Sequence, residues 1–278
     1  MNRSDHIIAD QNSAQGRVIV SESPDGLRTM RIGNPHAPRQ SVGKADDPSH
    51  LELLYTRLTV ACLGWLDQAP ARLLVIGLGG GSVPRFLHAK FPRLRIDVVD
   101  IDGVVAELAS RCFNFRPNEF LRMEIVDASH WMRCHRAEYD VIILDAFSGN
   151  SMPESLASES FIRLLKAGLK PGGLMVNHVW SRRVNPSYDR MVATHGFVFG
   201  AVYIVTVPDL GGRLLVALPE GSCPTNETLL EQGKRWAVKM GLETNALTAL
   251  GHGRWVSAAE IDPRMVLRTG PEIEGILR

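Results

Sequence analysis

The stretch at residues 73–87, LLVIGLGGGSVPRFL, is the feature that most restricts how this 278-residue chain can fold. An apolar run leads into four glycines within five residues, and a pattern with helical spacing follows. A buried strand, a glycine turn and a helix bring backbone N–H groups and a helix N-terminus against an anionic or nucleotide-like ligand. We therefore expect a nucleotide or a nucleoside to bind at this turn.

The chain after this point alternates between strand-like and helix-like segments. The strand-like runs are RLLVIG, LRIDVVD, RMEIVD, YDVIILD and LMVNHVW. Apolar strands separated by helices predict a parallel sheet that is covered on both faces, and an apolar content of 45% is ample for its core. The later runs FVFGAVYIVTV and GRLLVALP, joined by PDLGG, predict an antiparallel hairpin at the sheet edge.

The N-terminal part has a different pattern. Residues 1–16 are polar and predicted to be frayed, RVIVSE and LRTMRIG flank the turn signal SPDG and predict a hairpin, and residues 34–48 are predicted to be a loop. Apolar spacing from Ser49 to residue 66 predicts a helix with Ser49 as its cap. The predicted division is an N-terminal β-rich domain at 1–48, a connecting helix at 49–70, a nucleoside-binding α/β domain at 71–219 and a C-terminal helix and tail at 220–278.

Bulk composition disfavours several classes of protein. The net charge is +1 and the basic residues are scattered, which disfavours a nucleic-acid binder. The N-terminus lacks the apolar region of a signal peptide, and no apolar run reaches the roughly 20 residues that cross a bilayer, so we expect a cytoplasmic protein with no membrane partner. The four cysteines include no CxxC pair, which argues against a zinc site, and we expect no metal.

Acidic residues end the strands that follow the glycine turn. The second strand ends at Asp100 and Asp102, the third at Asp127 and the fourth at Asp145. Ligands of open parallel sheets bind at this edge, so four consecutive strands that end in glycine or aspartate favour a ligand site. For any single aspartate, capping of the next helix is an equal alternative, and we expect Asp102 to be a cap.

The spacing of the glycines narrows the class of ligand. The dinucleotide fingerprint GxGxxG would need a third glycine where this chain has Ser82. The GxGxG spacing here favours a nucleoside with a thioether or sulfonium arm, with Gly79 and Gly81 allowing close approach of the backbone. Asp100 is placed to accept from the ribose hydroxyls, and Asp127, followed by Ala128, from an adenine amino group.

These segments resemble the polyamine aminopropyltransferases, the spermidine and spermine synthase family. The resemblance spans about residues 18–219 and rests on LLVIGLGGG, VVDIDGVVAELASRCF, RMEIVDASHWM, YDVIILDAFSG and GLKPGGLMVNHV in this order. It implies a class I S-adenosylmethionine methyltransferase-like (Rossmann-like) α/β fold with a small N-terminal β-rich domain. It also implies a transferase of polyamine biosynthesis that uses decarboxylated S-adenosylmethionine as co-substrate, releases 5′-methylthioadenosine, and has no prosthetic group.

The resemblance also implies roles for individual residues. The partners would be a small-molecule amine and a second copy in a homodimer. Asp145 would be the base beside the attacking amine. The nucleoside would be bound by Gly77, Gly79, Gly81, Asp100, Asp127 and Ala128. The substrate would be bound by Gln40, Tyr55 and Ser148.

Three departures from the family pattern leave alternatives open. Gly80 stands where the family has an aspartate that meets the donor's amine, Ser148 stands in place of a second loop aspartate, and the C-terminal strands lack evident acidic and aromatic residues for a long polyamine. The alternatives are an S-adenosylmethionine-dependent methyltransferase, a non-catalytic nucleoside-binding homologue and a dehydrogenase. Ser82, in place of the third glycine of the dinucleotide fingerprint, argues against the dehydrogenase. Val75 replaces an acidic residue common in methyltransferases. His178 and Trp180 end the fifth strand, and we expect core or rim packing for them, with a place at the border of the acceptor pocket as the alternative.

Overall fold

The computed structural model describes residues 5–135, 138–147, 152–208, 211–218 and 222–268. The strands are β1 (His6–Ser13), β2 (Gly16–Glu22), β3 (Leu27–Ile32), β4 (Arg39–Lys44), β5 (Arg72–Ile76), β6 (Arg95–Asp100), β7 (Leu121–Ile125), β8 (Tyr139–Leu144), β9 (Leu169–Trp180), β10 (Ala201–Thr206), β11 (Gly212–Ala217) and β12 (Arg254–Ser257). The α-helices are α1 (Leu54–Cys62), α2 (Ser82–Lys90), α3 (Gly103–Phe113), α4 (Ala128–Cys134), α5 (Glu154–Ala157), α6 (Glu159–Ala167), α7 (Tyr188–Phe199) and α8 (Asn226–Met240).

The large sheet is mixed and has the strand order β12-β10-β11-β9-β8-β5-β6-β7. Its parallel part runs from β9 to β7, as the alternation of strands and helices predicted. The chain proceeds from β5 to β6 and β7 on one side and then returns to place β8 on the other side of β5. The order of the strands therefore reverses between β5 and β8, and the segments that follow these two strands flank the place where such sheets bind ligands.

Both faces of the sheet are covered, because alternate residues of each central strand enter different cores. On β5, Leu73 and Val75 pack with helices α1, α2, α3 and α8, whereas Leu74 and Ile76 pack with α4, α6 and α7. All four of these side chains are buried. This double burial explains why the strands are apolar along their length rather than alternating with polar residues.

The small N-terminal sheet is antiparallel, with the order β1-β2-β3-β4. Val18, Val20 and Met30 from this sheet join the same core as α1 and α3. The predicted hairpin is confirmed as β2 and β3. The fold class is thus the Rossmann-like α/β sheet with a small β-rich N-terminal part that the sequence predicted, while the exact domain boundaries remain predictions.

Several local predictions were wrong. The segment predicted to be frayed contains β1, and the predicted loop at 34–48 contains β4, because strands paired on a neighbouring strand tolerate polar side chains on their solvent side. Helix α1 begins at Leu54 after Leu53, so Ser49 is not its cap. The predicted antiparallel hairpin is confirmed as β10 and β11, but its FVF segment belongs to α7, and β12 rather than the hairpin forms the sheet edge.

Candidate functional site

A cavity of about 1150 Å³ lies at the carboxyl ends of the parallel strands. Its wall combines the turn after β5 and the ends of β6, β8 and β9 with residues from β3, β4 and α1. The predicted site residues that line it are Gln40, Tyr55, Gly77, Gly79, Asp100, Asp127, Ala128 and Asp145. Gly81 is not among the described lining residues, and Ser148 lies outside the described part of the chain.

The glycine turn requires glycine for reasons of backbone geometry. Gly77 has a φ of 95°, and a Cβ there would lie 2.2 Å from the carbonyl oxygen of Asp145. Gly81 caps α2 with a φ of 72°, and its Cβ would lie 2.8 Å from the Phe115 ring. The turn is therefore packed against the segment that carries Asp145, and Gly81 shapes the turn from behind rather than from the cavity.

Gly80 occupies a space that is closed by two side chains. A Cβ at this position would lie 2.9 Å from both the Phe113 ring and Ser41 Oγ. Ser41 comes from β4, and its Oγ is 3.4 Å from Ser82 Oγ at the start of α2. Ser41 of the N-terminal sheet and Phe113 of α3 thus fill the position at which the family pattern places an acidic side chain.

Asp100 is held in place by backbone donors. Its Oδ2 accepts from Leu78 N–H at 2.7 Å, and its Oδ1 accepts from Asp102 N–H at 2.9 Å. Burial raises the pKa of the Asp100 carboxyl, and these backbone hydrogen bonds oppose that rise. Each oxygen keeps a second lone pair, so this rigid carboxylate can also accept from a pair of ligand hydroxyls.

The next two aspartates begin helices. Asp102 accepts from Val104 N–H and caps α3, as predicted. Asp127 accepts from His130 N–H at 2.9 Å and caps α4. Asp127 also belongs to the cavity wall with Ala128, so the helix cap and a ligand contact are compatible for this residue.

Asp145 forms the centre of a three-residue cluster that joins three elements. Its Oδ2 accepts from Tyr55 Oη of α1 at 2.9 Å, and its Oδ1 is 2.9 Å from His178 Nδ1 of β9. The Tyr55 and His178 rings are stacked, with centroids 3.9 Å apart and an interplanar angle of 10°. Burial, followed by the charge of Asp145, raises the pKa of Tyr55 well above its ordinary value, so the phenol stays a donor to the carboxylate.

Further aromatic rings stand beside this cluster. Phe147 packs edge-on against His178 with centroids 5.2 Å apart, and the Trp180 ring lies 6.0 Å from that of His178. Both Phe147 and Trp180 line the cavity. A carboxylate bordered by aromatic rings suits a cationic ligand, because the ring faces and the negative charge both attract it.

The part of the wall that comes from the N-terminal sheet carries positive charge. Arg31 and Arg39 are cross-strand partners on β3 and β4, and both line the cavity. Arg31 is buried, and this burial lowers the pKa of its guanidinium. The wall therefore has an acidic aromatic part around Asp145 and a basic part on the N-terminal sheet.

The sequence favoured packing for His178 and Trp180 over a place at the pocket border, and the structure places both in the cavity wall. The signal for the pocket border was their position at the end of LMVNHVW. Its strand, β9, pairs directly with β8, so residues at its carboxyl end lie beside Asp145. The same edge-of-sheet rule that selected the aspartates applies to this strand.

Within the described ranges, no group of three His, Cys, Asp or Glu side chains is arranged to hold a metal ion. A search of those same residues finds no helix with the length and apolar character needed to cross a membrane.

The family model for the spermine/spermidine synthase domain matches residues 52–218. The polyamine aminopropyltransferase of Vibrio vulnificus (strain CMCP6) is 32% identical over 236 residues, which cover 83% of this chain and 78% of that protein. The eEF1A lysine and N-terminal methyltransferase of Homo sapiens is 30% identical over 215 residues, which cover 70% of this chain and 30% of that protein.

Solved structures share the architecture. A probable spermidine synthase from Corynebacterium glutamicum ATCC 13032 superposes with a TM-score of 0.74 at 19% identity, covering 95% of this chain and 97% of that one. A spermidine synthase in complex with the transition state analogue AdoDATO gives a TM-score of 0.65 at 18% identity, covering 88% of each chain. At these identities the likeness shows the fold.

Proposed function

Because this chain belongs to the spermine/spermidine synthase family of transferases, we propose that it transfers an aminopropyl group from decarboxylated S-adenosylmethionine to an amine. The second product is 5′-methylthioadenosine. The observation that carries this proposal is the position of Asp145. It lies in the cavity wall beside the glycine turn, with Tyr55 and His178 fixing its two oxygens.

The nucleoside end of the donor fits the part of the cavity formed by the glycine turn. We assign the ribose hydroxyls to Asp100, the adenine amino group to Asp127 and Ala128, and the close backbone approach to Gly77 and Gly79. Gly81 supports the turn from behind. The carboxylate of Asp100 is already aimed by two backbone N–H groups, so little ordering is needed when the donor binds.

The reaction itself demands little of the protein. The sulfonium already activates the carbon that is attacked, so the protein must align an amine with it and remove a proton from that amine. An alkylammonium group has a pKa near the ~10 of lysine, so it reaches the site charged. Asp145 attracts this cation and supplies the negative charge that balances proton removal.

The acceptor lies on the Asp145 side of the cavity in this proposal. Tyr55, the aromatic rings near it, Gln40 and Ser148 would contact it. The aromatic rings bind a cation without further carboxylates, which fits a short amine better than a long polyamine that needs several. We also expect a homodimer that works in the cytoplasm, to be checked by light scattering and by imaging of the tagged protein.

The Asp145→Asn variant tests this proposal. We expect kcat for aminopropyl transfer to fall by a factor of ~10² to 10⁴, the range for loss of general-base catalysis, with the affinity for methylthioadenosine unchanged in calorimetry. Asp189→Asn is the matched control, because that carboxylate forms an exposed ion pair with Arg182. Full activity in Asp145→Asn would refute the assignment.

Two observations favour methyl transfer from S-adenosylmethionine as the second candidate. Gly80 is closed by Phe113 and Ser41 and has no room for an acid that would meet a donor amine, and Arg31 and Arg39 offer charge that suits the carboxylate of intact S-adenosylmethionine. Calorimetry with both forms of the donor separates the candidates. Tighter binding of the decarboxylated form supports aminopropyl transfer, and tighter binding of the intact form supports methyl transfer.

A further inference from the structure

Both oxygens of Asp145 are already engaged. Tyr55 Oη donates to Oδ2, and the His178 ring meets Oδ1, each at 2.9 Å. Each oxygen keeps a second lone pair, but the carboxylate charge already holds these two partners. The His178 imidazole, which contacts Oδ1, is a second group that can receive the proton from the amine.

His178 has the free atom that this step requires. An ionised Asp145 can only accept a hydrogen bond, so the ring proton of a neutral His178 is on Nδ1. Nε2 of this tautomer carries a lone pair. Nε2 has no hydrogen-bond partner among the described residues. Trp180 Nε1 is fully enclosed without a partner, whereas His178 Nε2 is not fully enclosed, and His178 lines the cavity.

The neighbouring strand leaves room for this nitrogen because it has a glycine there. Gly212 on β11 lies against the imidazole, and a Cβ there would be 2.9 Å from Nε2. Any other residue at this position would press on the atom with the lone pair. The titratable groups that the described structure places against the ring are Asp145 and Tyr55, and its other ring neighbours are Phe147 and Trp180.

We propose that His178 is the proton acceptor of the transfer reaction and that Asp145 acts through it by fixing the ring and balancing its charge. This inference rests on the proposed function. A proton moves from the substrate ammonium to His178 Nε2, giving a neutral amine and an imidazolium paired with Asp145. The amine lone pair then forms the new N–C bond, the C–S bond breaks, and its electron pair stays on sulfur as the neutral thioether.

Imidazole suits this task because it gains and loses a proton near neutral pH, where the reaction must run. The arrangement is an imidazole oriented through Nδ1 by a half-buried carboxylate, with no hydrogen-bond partner on the opposite nitrogen among the described residues. The stacked Tyr55 ring prevents His178 from rotating about its bond to the backbone. The Asp145 carboxylate is thus a positioning group for the imidazole.

The test compares His178→Gln with the exposed control His252→Gln in the full-length protein. The glutamine amide can still donate to Asp145 but cannot accept and release a proton. We expect kcat to fall at least ~100-fold in His178→Gln, with KM for the donor and calorimetric affinity for methylthioadenosine within about threefold of wild type. His252→Gln should match wild type.

A second measurement does not depend on turnover. The ¹⁵N spectrum of labelled wild-type protein, assigned by loss of signals in His178→Gln, should show His178 protonated on Nδ1 and unprotonated on Nε2 above neutral pH. The opposite tautomer overturns the inference. So does a kcat in His178→Gln within about threefold of wild type. Wild-type protein with the expected tautomer but no aminopropyl transfer would instead refute the proposed function.

Discussion

Two histidines at opposite faces of the large sheet, His178 on β9 and His195 on α7, show how its partner determines what a histidine can do. Asn177 and His178 are neighbours on β9, so their side chains point to opposite faces of the sheet. On the cavity side, His178 meets the carboxylate of Asp145 and leaves Nε2 free. On the core side, Asn177 meets His195 of α7, 3.0 Å from Nε2, and His195 Nδ1 donates to Met191 carbonyl at 2.7 Å.

The two environments have different consequences for the proton. His195 is completely buried, both of its ring nitrogens are used, and burial lowers its pKa to about 4 despite the bond to Met191. It therefore stays neutral and holds α7 against the sheet. His178 has a carboxylate partner and an open nitrogen, which is the arrangement that can exchange a proton with a ligand. The two residues are of the same type, so the difference lies in their partners and in their burial.

The largest effect is expected from Gly77→Ala, which should disrupt the glycine turn on the cavity side. The new Cβ would meet the Asp145 carbonyl oxygen at 2.2 Å, and that oxygen is backbone that cannot rotate away. We expect a loss of more than ~3 kcal/mol in the free energy of unfolding, from steric strain and the positive φ together, with no transfer activity. Chemical denaturation and activity assays measure both effects.

Gly172→Ala is the matched control for this change. Its φ is 81°, close to the 95° of Gly77, but nothing lies within 4 Å of the added Cβ. We expect a loss of only about 1 kcal/mol and unchanged kcat. Equal losses in the two variants would show that the contact between the turn and Asp145 is unimportant.

The second largest effect is expected from acid, which should lower the free energy of unfolding through His195 on the core side. Above pH 6.5 His195 is neutral in both folded and unfolded protein, so it adds no pH dependence. As the pH falls from 6.5 to about 4, the unfolded chain binds a proton that the folded protein does not, and stability decreases by up to about 3 kcal/mol. His195→Gln should lose this part of the pH dependence, measured as unfolding free energy against pH.

Exposed His252→Gln is the control and should keep the wild-type slope. Although His195→Gln is expected to be less stable at neutral pH, the prediction concerns its slope rather than its absolute stability. A His195→Gln slope identical to that of wild type between pH 6.5 and 4 would mean that this histidine is not held neutral.

The smallest effect is expected from Tyr55→Phe, which tests the role of the Tyr55 hydroxyl. Tyr55→Phe removes the bond to Asp145 Oδ2 and keeps the ring that stacks on His178. A hydrogen bond to a charged group contributes about 1.5 kcal/mol or more, so we expect kcat to fall about tenfold. Tyr203→Phe also removes a buried phenol bond, to Leu250 carbonyl, and should lower stability without changing kcat. Equal kcat values in the two variants would contradict the role of Tyr55.

Much of the fold could be predicted from the sequence, because apolar strands, glycine turns and strand-end aspartates are local signals. The parallel strands of the large sheet, the cap at Asp102 and the β2–β3 hairpin follow from them. Strands β1 and β4 were missed because their polar residues form a strand only when a partner strand is present. That pairing depends on tertiary structure and leaves no signal in the local sequence.

The candidate site was predictable in its acidic half and less so in the rest. Asp100 and Asp145 stand at strand ends that the sequence shows directly. The contact of Tyr55 and His178 depends on the packing of α1 over β9, which brings together residues 123 positions apart in the chain and leaves no local pattern. For the same reason, the closure of Gly80 by Ser41 and Phe113 is visible only in three dimensions.

Identification of the product tests the central claim most directly. Purified wild-type protein is incubated with putrescine and either decarboxylated or intact S-adenosylmethionine, and the amines and nucleosides are measured by mass spectrometry. We predict an amine extended by one aminopropyl unit and an equal amount of methylthioadenosine, formed only from the decarboxylated donor. A methylated amine with S-adenosylhomocysteine from the intact donor, or no product from either donor, would contradict the proposal.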